Sequence, residues 1–319
     1  MSLSSILQLL LLLGCSGSAR AEGQLRTSSV SPRARAAALR DEHFSKLGQA
    51  TDAKVSESLL SMPSIKARDL IPSEPGTSYH WAGAVVPPPS GENITTVTAT
   101  MTLPDLVAPE DVRQGPGGEY FLYVWVGIDG LDSVDPGDCT ALWQTGFAGQ
   151  IKNGVTTWWG WVCYLWDQDE NAVFDTYILD AESGDTVNMT VQSLSSSEGI
   201  FWLDNLSTGS STSYSVTGGD ICMQQAEWIV EDPWDGSTED ILYMLVWPDY
   251  GSMVFDNAVA YTNAGSTVAP NAAGSTLYVV ESYYDNDIIQ NNVSATDSTV
   301  TVDWLASGPG TKLGARLLV

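Results

Sequence analysis

The chain of 319 residues holds little of the chemistry that most hydrolases use, because it has only two histidines, His43 and His80. That number excludes an HExxH zinc site and most nucleophilic triads, which contain histidine. A hydrolytic reaction would therefore need carboxylates, amides or hydroxyls. Paired carboxylates alone do not locate such a site, since 32 of the 39 Asp and Glu residues follow residue 76.

Two segments place carboxylates and amides in apolar, strand-like surroundings. The first runs over residues 124–130 (VWVGIDG) and continues at 139–146 (CTALWQTG). The second begins at 220–222 (DIC) and leads into 226–232 (AEWIVED). Gln144 and Glu227 stand in these segments. By residue type alone, Gln144 is explained as a polar residue at a strand end and Glu227 as an exposed carboxylate on an edge strand.

The elements that must position these residues are short β-strands. Apolar and polar residues alternate over 97–103, 186–191 and 300–303, as in half-buried strands. Further strand-like runs cover 120–128, 155–166, 172–179, 226–232, 241–247, 252–256 and 276–283. Turns are frequent, and no segment forms a convincing amphipathic helix of a dozen residues. From Tyr79 onward the sequence therefore predicts an all-β domain, a jelly-roll-like sandwich of two packed antiparallel sheets.

Tryptophans are concentrated on these strands, and all 12 of them follow residue 80. Most are expected to fill the core of the sandwich. Adjacent Trp158 and Trp159 must point to opposite faces of a strand, so one face is predicted to line a groove for a peptide or a sugar. A secreted carbohydrate-binding or glycoside-active sandwich is therefore an alternative interpretation, because paired carboxylates also hydrolyse glycosides.

The charge of the chain changes near residue 76. Nine of the 13 basic residues lie before that point, whereas residues 77–319 contain four basic and 32 acidic residues and carry a net charge of −28. This charge disfavours binding to nucleic acid or to anionic lipid, because both need clustered cations. No apolar run after the N-terminus reaches the roughly 20 residues that cross a bilayer, so no membrane association is expected.

The first 76 residues have the features of processing segments. Residues 6–13 are apolar and lead into small residues ending at Ala21, as in a secretory signal peptide, although 12–15 (LLGC) also resembles a bacterial lipoprotein box. We predict a signal peptide at 1–21, a pro-segment at 22–76 and the β-sandwich domain at 77–319; the alternative for 22–76 is a linker without function. Secretion to the outside of the cell makes four glycosylation sequons credible, at Asn93, Asn188, Asn205 and Asn292.

An ordered set of motifs resembles the fungal glutamic endopeptidases, the eqolisins, formerly grouped as pepstatin-insensitive acid proteases. The matching pieces span about residues 79–305 in family order: 81–85 (WAGAV), 125–130 (WVGIDG), 142–146 (LWQTG), 226–232 (AEWIVED), 255–258 (FDNA) and 265–268 (GSTV). The resemblance implies a two-sheet β-sandwich made with a signal peptide and a pro-segment. It also implies a monomeric acid endopeptidase that cleaves polypeptides without a cofactor or metal.

The resemblance places the catalytic pair at Gln144 and Glu227. Glu227 would take a proton from water as the water attacks the scissile carbonyl, and would return it to the leaving amine. The amide of Gln144 would donate a hydrogen bond to the oxyanion at every relevant pH, because an amide does not titrate. A glutamate with a pKa near 4.3 works at acidities where a histidine base would be protonated. Trp125 and Asp129 match positions that line the substrate cleft of the family.

The resemblance also pairs Cys139 with Cys222 in a disulfide that ties the two catalytic strands together. Three cysteines follow the signal peptide, so at most one intramolecular disulfide forms, and Cys163 is expected to remain buried and unbridged. The chain departs from the family pattern at Ala148 and Gly160, where the family usually has acidic residues around the active site. A catalytically impaired relative of the eqolisins is therefore a further alternative.

Overall fold

The computed structural model describes residues 76–78, 80–109, 119–131, 141–167, 171–218, 220–232, 234–238, 241–244, 247–281 and 289–305. The predicted signal peptide and residues 22–75 of the predicted pro-segment lie outside these ranges. All regular secondary-structure elements in these ranges are β-strands, which confirms the all-β prediction. Accordingly, none of the described ranges holds a helix with the length and hydropathy of a membrane span.

The strands of the described residues are numbered in chain order. They are Thr77–Ser78 (β1), Trp81–Val86 (β2), Ile94–Thr102 (β3), Glu119–Ile128 (β4), Leu142–Lys152 (β5), Val155–Asp167 (β6), Asn171–Ala181 (β7), Thr186–Ser193 (β8), Glu198–Asn205 (β9), Ser210–Thr217 (β10), Ala226–Glu231 (β11), Trp234–Thr238 (β12), Ile241–Met244 (β13), Ser252–Thr262 (β14), Thr267–Val268 (β15), Thr276–Val280 (β16), Asn291–Ala295 (β17) and Thr299–Trp304 (β18).

These strands form two large sheets and one small hairpin. The first sheet has the order β1-β16-β2-β11-β4-β5-β6-β7. The second has the order β10-β9-β8-β3-β14-β18-β17, with β15 paired to β14, while β12 pairs with β13. In the first sheet, neighbouring strands are antiparallel except for β1 and β16, which run parallel. The strand β11 therefore joins the β4–β7 meander to the β1-β16-β2 edge.

An apolar core fills the space between the two large sheets. Trp143 and Trp228 of the first sheet meet Phe201 and Phe255 of the second there, and all four side chains are buried. The rings of Trp143 and Phe201 pack edge to face with centroids 6.0 Å apart. The Nε1–H of Trp228 donates to the backbone oxygen of Thr98 across the core at 3.1 Å. The predicted sandwich of two packed sheets is confirmed.

The outer face of the first sheet carries a second apolar cluster, which we call the site face. Trp158 points into the core between the sheets and Trp159 belongs to the site face, so the predicted opposite orientation is confirmed. The first sheet is thus apolar on both sides. Members of the site face are Trp81, Val85, Phe121, Tyr123, Trp125, Leu142, Ala148, Trp159, Trp161, Cys163 and Ile229, with Leu131, Tyr177 and Tyr278 packed against them.

Candidate active site

One row of the site face brings together the two polar residues singled out from the sequence. Gly127 of β4 lies directly opposite Glu227 of β11 on one side and directly opposite Gln144 of β5 on the other. Directly paired residues project from the same face of a sheet, so both side chains flank the same glycine. Because neighbouring strands are about 4.8 Å apart, the Cα atoms of Glu227 and Gln144 are about 9.6 Å apart. Two long side chains can approach one small molecule across that gap.

Two glycines beside this row allow close packing against the sheet. A Cβ atom at Gly127 would lie 2.8 Å from Cζ3 of Trp125. A Cβ atom at Gly146, the next residue of β5 on this face, would lie 2.8 Å from Cβ of Trp125. Real Cβ contacts are not that short, so glycine at 127 allows the indole of Trp125 to pack onto the sheet next to Glu227 and Gln144. Glycine at 146 allows the backbone of β4 to approach, since a Cβ atom there would lie 1.9 Å from the carbonyl oxygen of Val124.

Both polar residues of the row are buried. Glu227 has no exposed surface and Gln144 is 2% exposed. Within the described part of the chain, Oε1 of Gln144 has no hydrogen-bond partner, so this oxygen remains as a hydrogen-bond acceptor for a ligand. Tyr278 of β16 lies within electrostatic reach of Glu227. Burial raises the pKa of Tyr278 above its ordinary value, and the negative charge of Glu227 raises it further.

The indole of Trp125 is hydrogen-bonded to a residue of β11. Its Nε1–H donates to Oε2 of Glu231 at 2.9 Å, and the ring of Trp81 packs against it edge to face at 5.1 Å. Asp232, the next residue after Glu231, is also buried. Burial, and after it the charge of Glu231, raise the pKa of Asp232 well above its ordinary value. The end of β11 therefore carries two adjacent buried carboxyl groups, of which Asp232 holds its proton more strongly than an exposed aspartate.

Asp129 supports the same strand from β4. It is buried, with a φ of 62°, in the turn that follows β4. Its two carboxylate oxygens accept hydrogen bonds from four consecutive backbone N–H groups of residues 222–225, at 2.6–3.1 Å. Burial raises the pKa of Asp129, although these four donors act in the opposite direction. Residues 222–225 lead directly into β11, so the carboxylate that was expected to line the cleft is bonded to the backbone that positions Glu227.

Two cysteines, Cys163 and Cys222, lie near the same row. Cys163 of β6 is the register partner of Gln144 on the side away from Gly127; it is buried and is not in a disulfide, as expected from the sequence. Cys222 is in a disulfide. Its predicted partner, Cys139, lies outside the described residues, so that pairing remains a prediction.

The two departures from the family pattern face different sides of the sheet. Ala148 belongs to the site face, where it lies opposite Tyr123 on one side and Trp159 on the other. A Cβ atom at Gly160 would point into the core between the sheets, 2.8 Å from Cδ1 of Leu203. An acidic side chain at position 160 would therefore enter an apolar core in this structure. Of the two positions, only Ala148 lies on the face that carries Gln144 and Glu227.

The four sequons differ in their accessibility. Asn292 is exposed, and Asn93 and Asn188 are half-buried. Asn205 is 1% exposed; its Nδ2 donates to Oδ2 of Asp185 at 2.7 Å, and its Oδ1 accepts two backbone N–H groups of the following turn. A side chain bonded at both ends inside the fold has no room for an attached glycan.

The sequence analysis did not identify three residues near Glu227 and Gln144, and the sequence signal for each of them differs. Glu231 lies four residues after Glu227 on β11, so the two-residue period of a strand already placed both on one face. Cys163 carried no signal beyond its position on a predicted strand. Tyr278 reaches the site because β16 pairs with β2, and that contact between distant segments has no signature in the sequence.

Known proteins share both the sequence pattern and the fold of this chain. The Peptidase A4 family model matches residues 79–304. Aspergillopepsin-2 from Aspergillus niger is 34% identical over 240 residues, which cover 70% of this chain and 77% of that protein. Scytalidopepsin B from Scytalidium lignicola is 29% identical over 168 residues, which cover 52% of this chain and 56% of that protein.

Solved structures with the same fold include two peptidase complexes. Scytalido-glutamic peptidase with a peptide-based transition state analog has a TM-score of 0.55 and 24% identity, over 71% of this chain and 98% of that chain. SCP-B, described as a member of the eqolisin family and solved with the tripeptide Ala-Ile-His, has a TM-score of 0.54 at 24% identity and the same coverage of both chains. At this identity the likeness establishes a shared β-sandwich fold.

Proposed function

The chain belongs to the Peptidase A4 family, the eqolisin glutamic endopeptidases, and from this membership we propose that Glu227 and Gln144 activate one water molecule for peptide-bond hydrolysis at acidic pH. The observation that carries the proposal is the shared register with Gly127. It places a carboxylate and an amide on one face, on either side of a residue without a side chain.

The reaction uses both groups in two steps. Ionised Glu227 removes a proton from water while the water oxygen bonds to the scissile carbonyl carbon. The carbonyl oxygen becomes an oxyanion, which accepts a hydrogen bond from the Gln144 amide. Protonated Glu227 then gives its proton to the amide nitrogen as the C–N bond breaks, which releases an amine and a carboxylic acid. Because the site is buried, these interactions take place with little competition from bulk water.

Two substitutions test the assignment. Glu227→Gln removes the proton carrier and should abolish cleavage of denatured protein at acidic pH. Gln144→Ala removes one oxyanion donor and should lower kcat about 10²–10³-fold. Glu281→Gln is the matched control, since Glu281 is a buried glutamate outside the row, and this variant should remain active. Full activity in Glu227→Gln would refute the assignment. Activity in the wild-type protein should resist pepstatin, chelators, and thiol and serine reagents.

We further propose that the protein is secreted as a zymogen and acts on polypeptides as a monomer. Residues 22–76 carry eight basic residues, which can bridge to the domain of net charge −28 until acidification weakens the attraction. On acidification the chain would cleave itself between about Lys66 and Thr77. Support for a boundary on the N-terminal side of Gly76 comes from β1: the carbonyl oxygen of Gly76 accepts the N–H of Val279 at 3.0 Å, and Ser78 pairs with Val280.

Mass and activity measured on the purified precursor from pH 7 down to about pH 3 test the zymogen. We expect loss of mass and gain of activity together. A chain that is active at acidic pH while still full-length would show that residues 22–76 are only a linker.

Among the sequons, we propose glycosylation at Asn292 and Asn93. The Nδ2 group of Asn188 donates to Oδ2 of Asp204 at 3.0 Å, and Asn205 is buried, so both are disfavoured as acceptors. Peptide mapping before and after enzymatic deglycosylation identifies the occupied sites. A glycan on Asn205 would contradict the packing described for it.

A further inference from the structure

Two aromatic side chains stand on the outer face of the second sheet, which is directed away from the core. Trp202 of β9 is half-buried, and Tyr261 of β14 is 41% exposed. The residues on either side of each in the chain are buried, so the alternation of the strands directs both aromatic rings outward. The site face lies on the opposite surface of the sandwich.

Two adjacent rows of register partners connect these rings across the sheet, from β9 to β14. We call the two rows the outer strip. Besides the two aromatic residues, they consist of Thr190, Thr98 and Val259 in the row of Trp202, and of Thr96, Gln192 and Ile200 in the row of Tyr261. From the spacing of strands and the rise along them, the Cα atoms of Trp202 and Tyr261 are about 16 Å apart. The strip is therefore long enough for an extended ligand that contacts both rings.

The polar side chains of the outer strip are uncharged and already ordered. No carboxylate lies in the strip, although residues 77–319 contain 32 acidic residues. The hydroxyl groups of Thr98 and Thr190 are hydrogen-bonded to each other at 2.7 Å, and Nδ2 of Asn188 donates to the Thr190 hydroxyl at 3.3 Å. Because these groups have fixed orientations before a ligand arrives, less side-chain entropy is lost on binding.

The charges around the outer strip limit the class of ligand. No strand of the second sheet contains a lysine or an arginine, and the neighbouring row on this face carries Asp204 and Asp256. An anionic polymer, whether a nucleic acid, a lipid surface or an acidic polysaccharide, would be repelled. Threonine hydroxyls separate the apolar side chains of the strip, unlike the contiguous apolar core of a protein interface. An uncharged polymer rich in hydroxyl groups fits both features.

We propose that the outer strip binds an uncharged polysaccharide in an extended conformation, a function separate from peptide hydrolysis. The rings of Trp202 and Tyr261 contact the C–H faces of two sugar units, and the threonine and glutamine side chains between them hydrogen-bond to sugar hydroxyls. Because the strip and the site face are on opposite surfaces, a bound polysaccharide leaves Glu227 and Gln144 open to peptides.

The test measures co-sedimentation of the purified protein with insoluble cellulose, chitin and β-1,3-glucan, and binding to soluble polygalacturonate as the acidic comparison. Trp202→Thr and Tyr261→Thr each remove one ring and keep a residue that favours strands. Trp202→Phe keeps an aromatic ring at the same position. Val155→Ala is the matched control, since Val155 is an apolar residue of the first sheet that is 60% exposed.

The wild-type protein should bind at least one of the three neutral polysaccharides, with or without added salt, and should not bind polygalacturonate. Each threonine variant should lower the association constant about tenfold, the loss expected for one stacked ring. Trp202→Phe and Val155→Ala should stay close to the wild-type value. All four variants should cleave soluble denatured protein as the wild type does, with unchanged near-UV circular dichroism outside the contribution of the replaced ring.

Binding to none of the three neutral polysaccharides, or equal binding by the threonine variants, would overturn the inference. A glycan found on Asn188 would also overturn it, because that sugar would cover the strip beside Trp202. So would a dimer in gel filtration that Trp202→Thr dissociates, since the face would then be a protein interface. Failure of the proposed catalytic pair is a separate outcome, because it appears as activity in Glu227→Gln and leaves polysaccharide binding unchanged.

Discussion

Replacing Asp129 with asparagine separates two roles for this residue, lining of the cleft and support of β11. The substitution keeps the shape of the side chain and changes one carboxylate oxygen into an NH₂ group. Two of the four backbone N–H groups of residues 222–225 would then face a donor instead of an acceptor. The affected segment is joined directly to the strand that carries Glu227.

The size of the effect follows from those bonds. Hydrogen bonds to a charged group stabilise by about 1.5–3 kcal/mol each, so losing two removes about 3–6 kcal/mol. Asparagine does not bury a charge, and this relief offsets part of the loss. We expect a net destabilisation of about 2–4 kcal/mol, which lowers the Tm of a domain of this size on the order of 10 °C. The kcat should fall with it, because Glu227 loses its fixed register with Gly127.

Calorimetry at pH 4 and kinetics on a denatured protein substrate measure both effects in one preparation. Asp256→Asn is the control, because Asp256 is exposed on the second sheet and should change stability by less than about 0.5 kcal/mol. If Asp129→Asn raises KM without lowering the Tm, the carboxylate contacts substrate, as the sequence resemblance implied. If neither quantity changes, the reasoning from the four hydrogen bonds is wrong.

Three further predictions concern neighbouring parts of the site. Gly127→Ala should lower kcat more than tenfold, because its Cβ would lie 2.8 Å from the adjacent indole, and unchanged kinetics would contradict the packing. Burial and a neighbouring charge raise the folded-state pKa of Asp232, so its stabilising contribution is complete below about pH 4 and is lost as pH rises through the raised value. The Tm of Asp232→Asn should therefore decline less than that of the wild-type protein between about pH 4 and pH 7. If the Tm of both proteins declines equally, Asp232 is not the cause of the decline. Mapping of disulfide-linked peptides should find Cys222 joined to Cys139, and a link to Cys163 would refute that pairing.

Strands with a clear alternation were accessible from the sequence: the stretches at 97–103, 186–191 and 300–303 match Ile94–Thr102, Thr186–Ser193 and Thr299–Trp304. Long apolar and aromatic runs were accessible too. The run predicted at 120–128 matches Glu119–Ile128, and the run at 155–166 matches Val155–Asp167. The strand Leu142–Lys152 was not predicted as a whole, because two glycines and two glutamines interrupt its apolar residues, although it is buried as fully as Glu119–Ile128. The strand Ser210–Thr217 was missed for the opposite reason, since serine and threonine dominate it and little of it is apolar.

The candidate site was only partly predictable from the sequence. Gln144 and Glu227 were found because they stand in recognisable motifs, and their common register could not be derived from those motifs alone. The role of Asp129 and the position of Tyr278 depend on pairings between segments that are far apart in the chain. Such pairings are fixed by the packing of whole sheets, so no local pattern reports them.

The position of β11 in the first sheet has a consequence for the newly made chain. Gln144 and Gly127 belong to one hairpin, β4–β5, which forms from neighbouring segments. Glu227 joins them only when β11 inserts between β4 and β2, and the strands β8–β10, which precede β11 in the chain, belong to the other sheet. Contacts between distant segments form late, because closing a long loop costs entropy before it gives any stabilisation. A chain that is still folding therefore has Gln144 in place without Glu227. On the mechanism proposed, it cannot cleave other unfolded copies of the same protein.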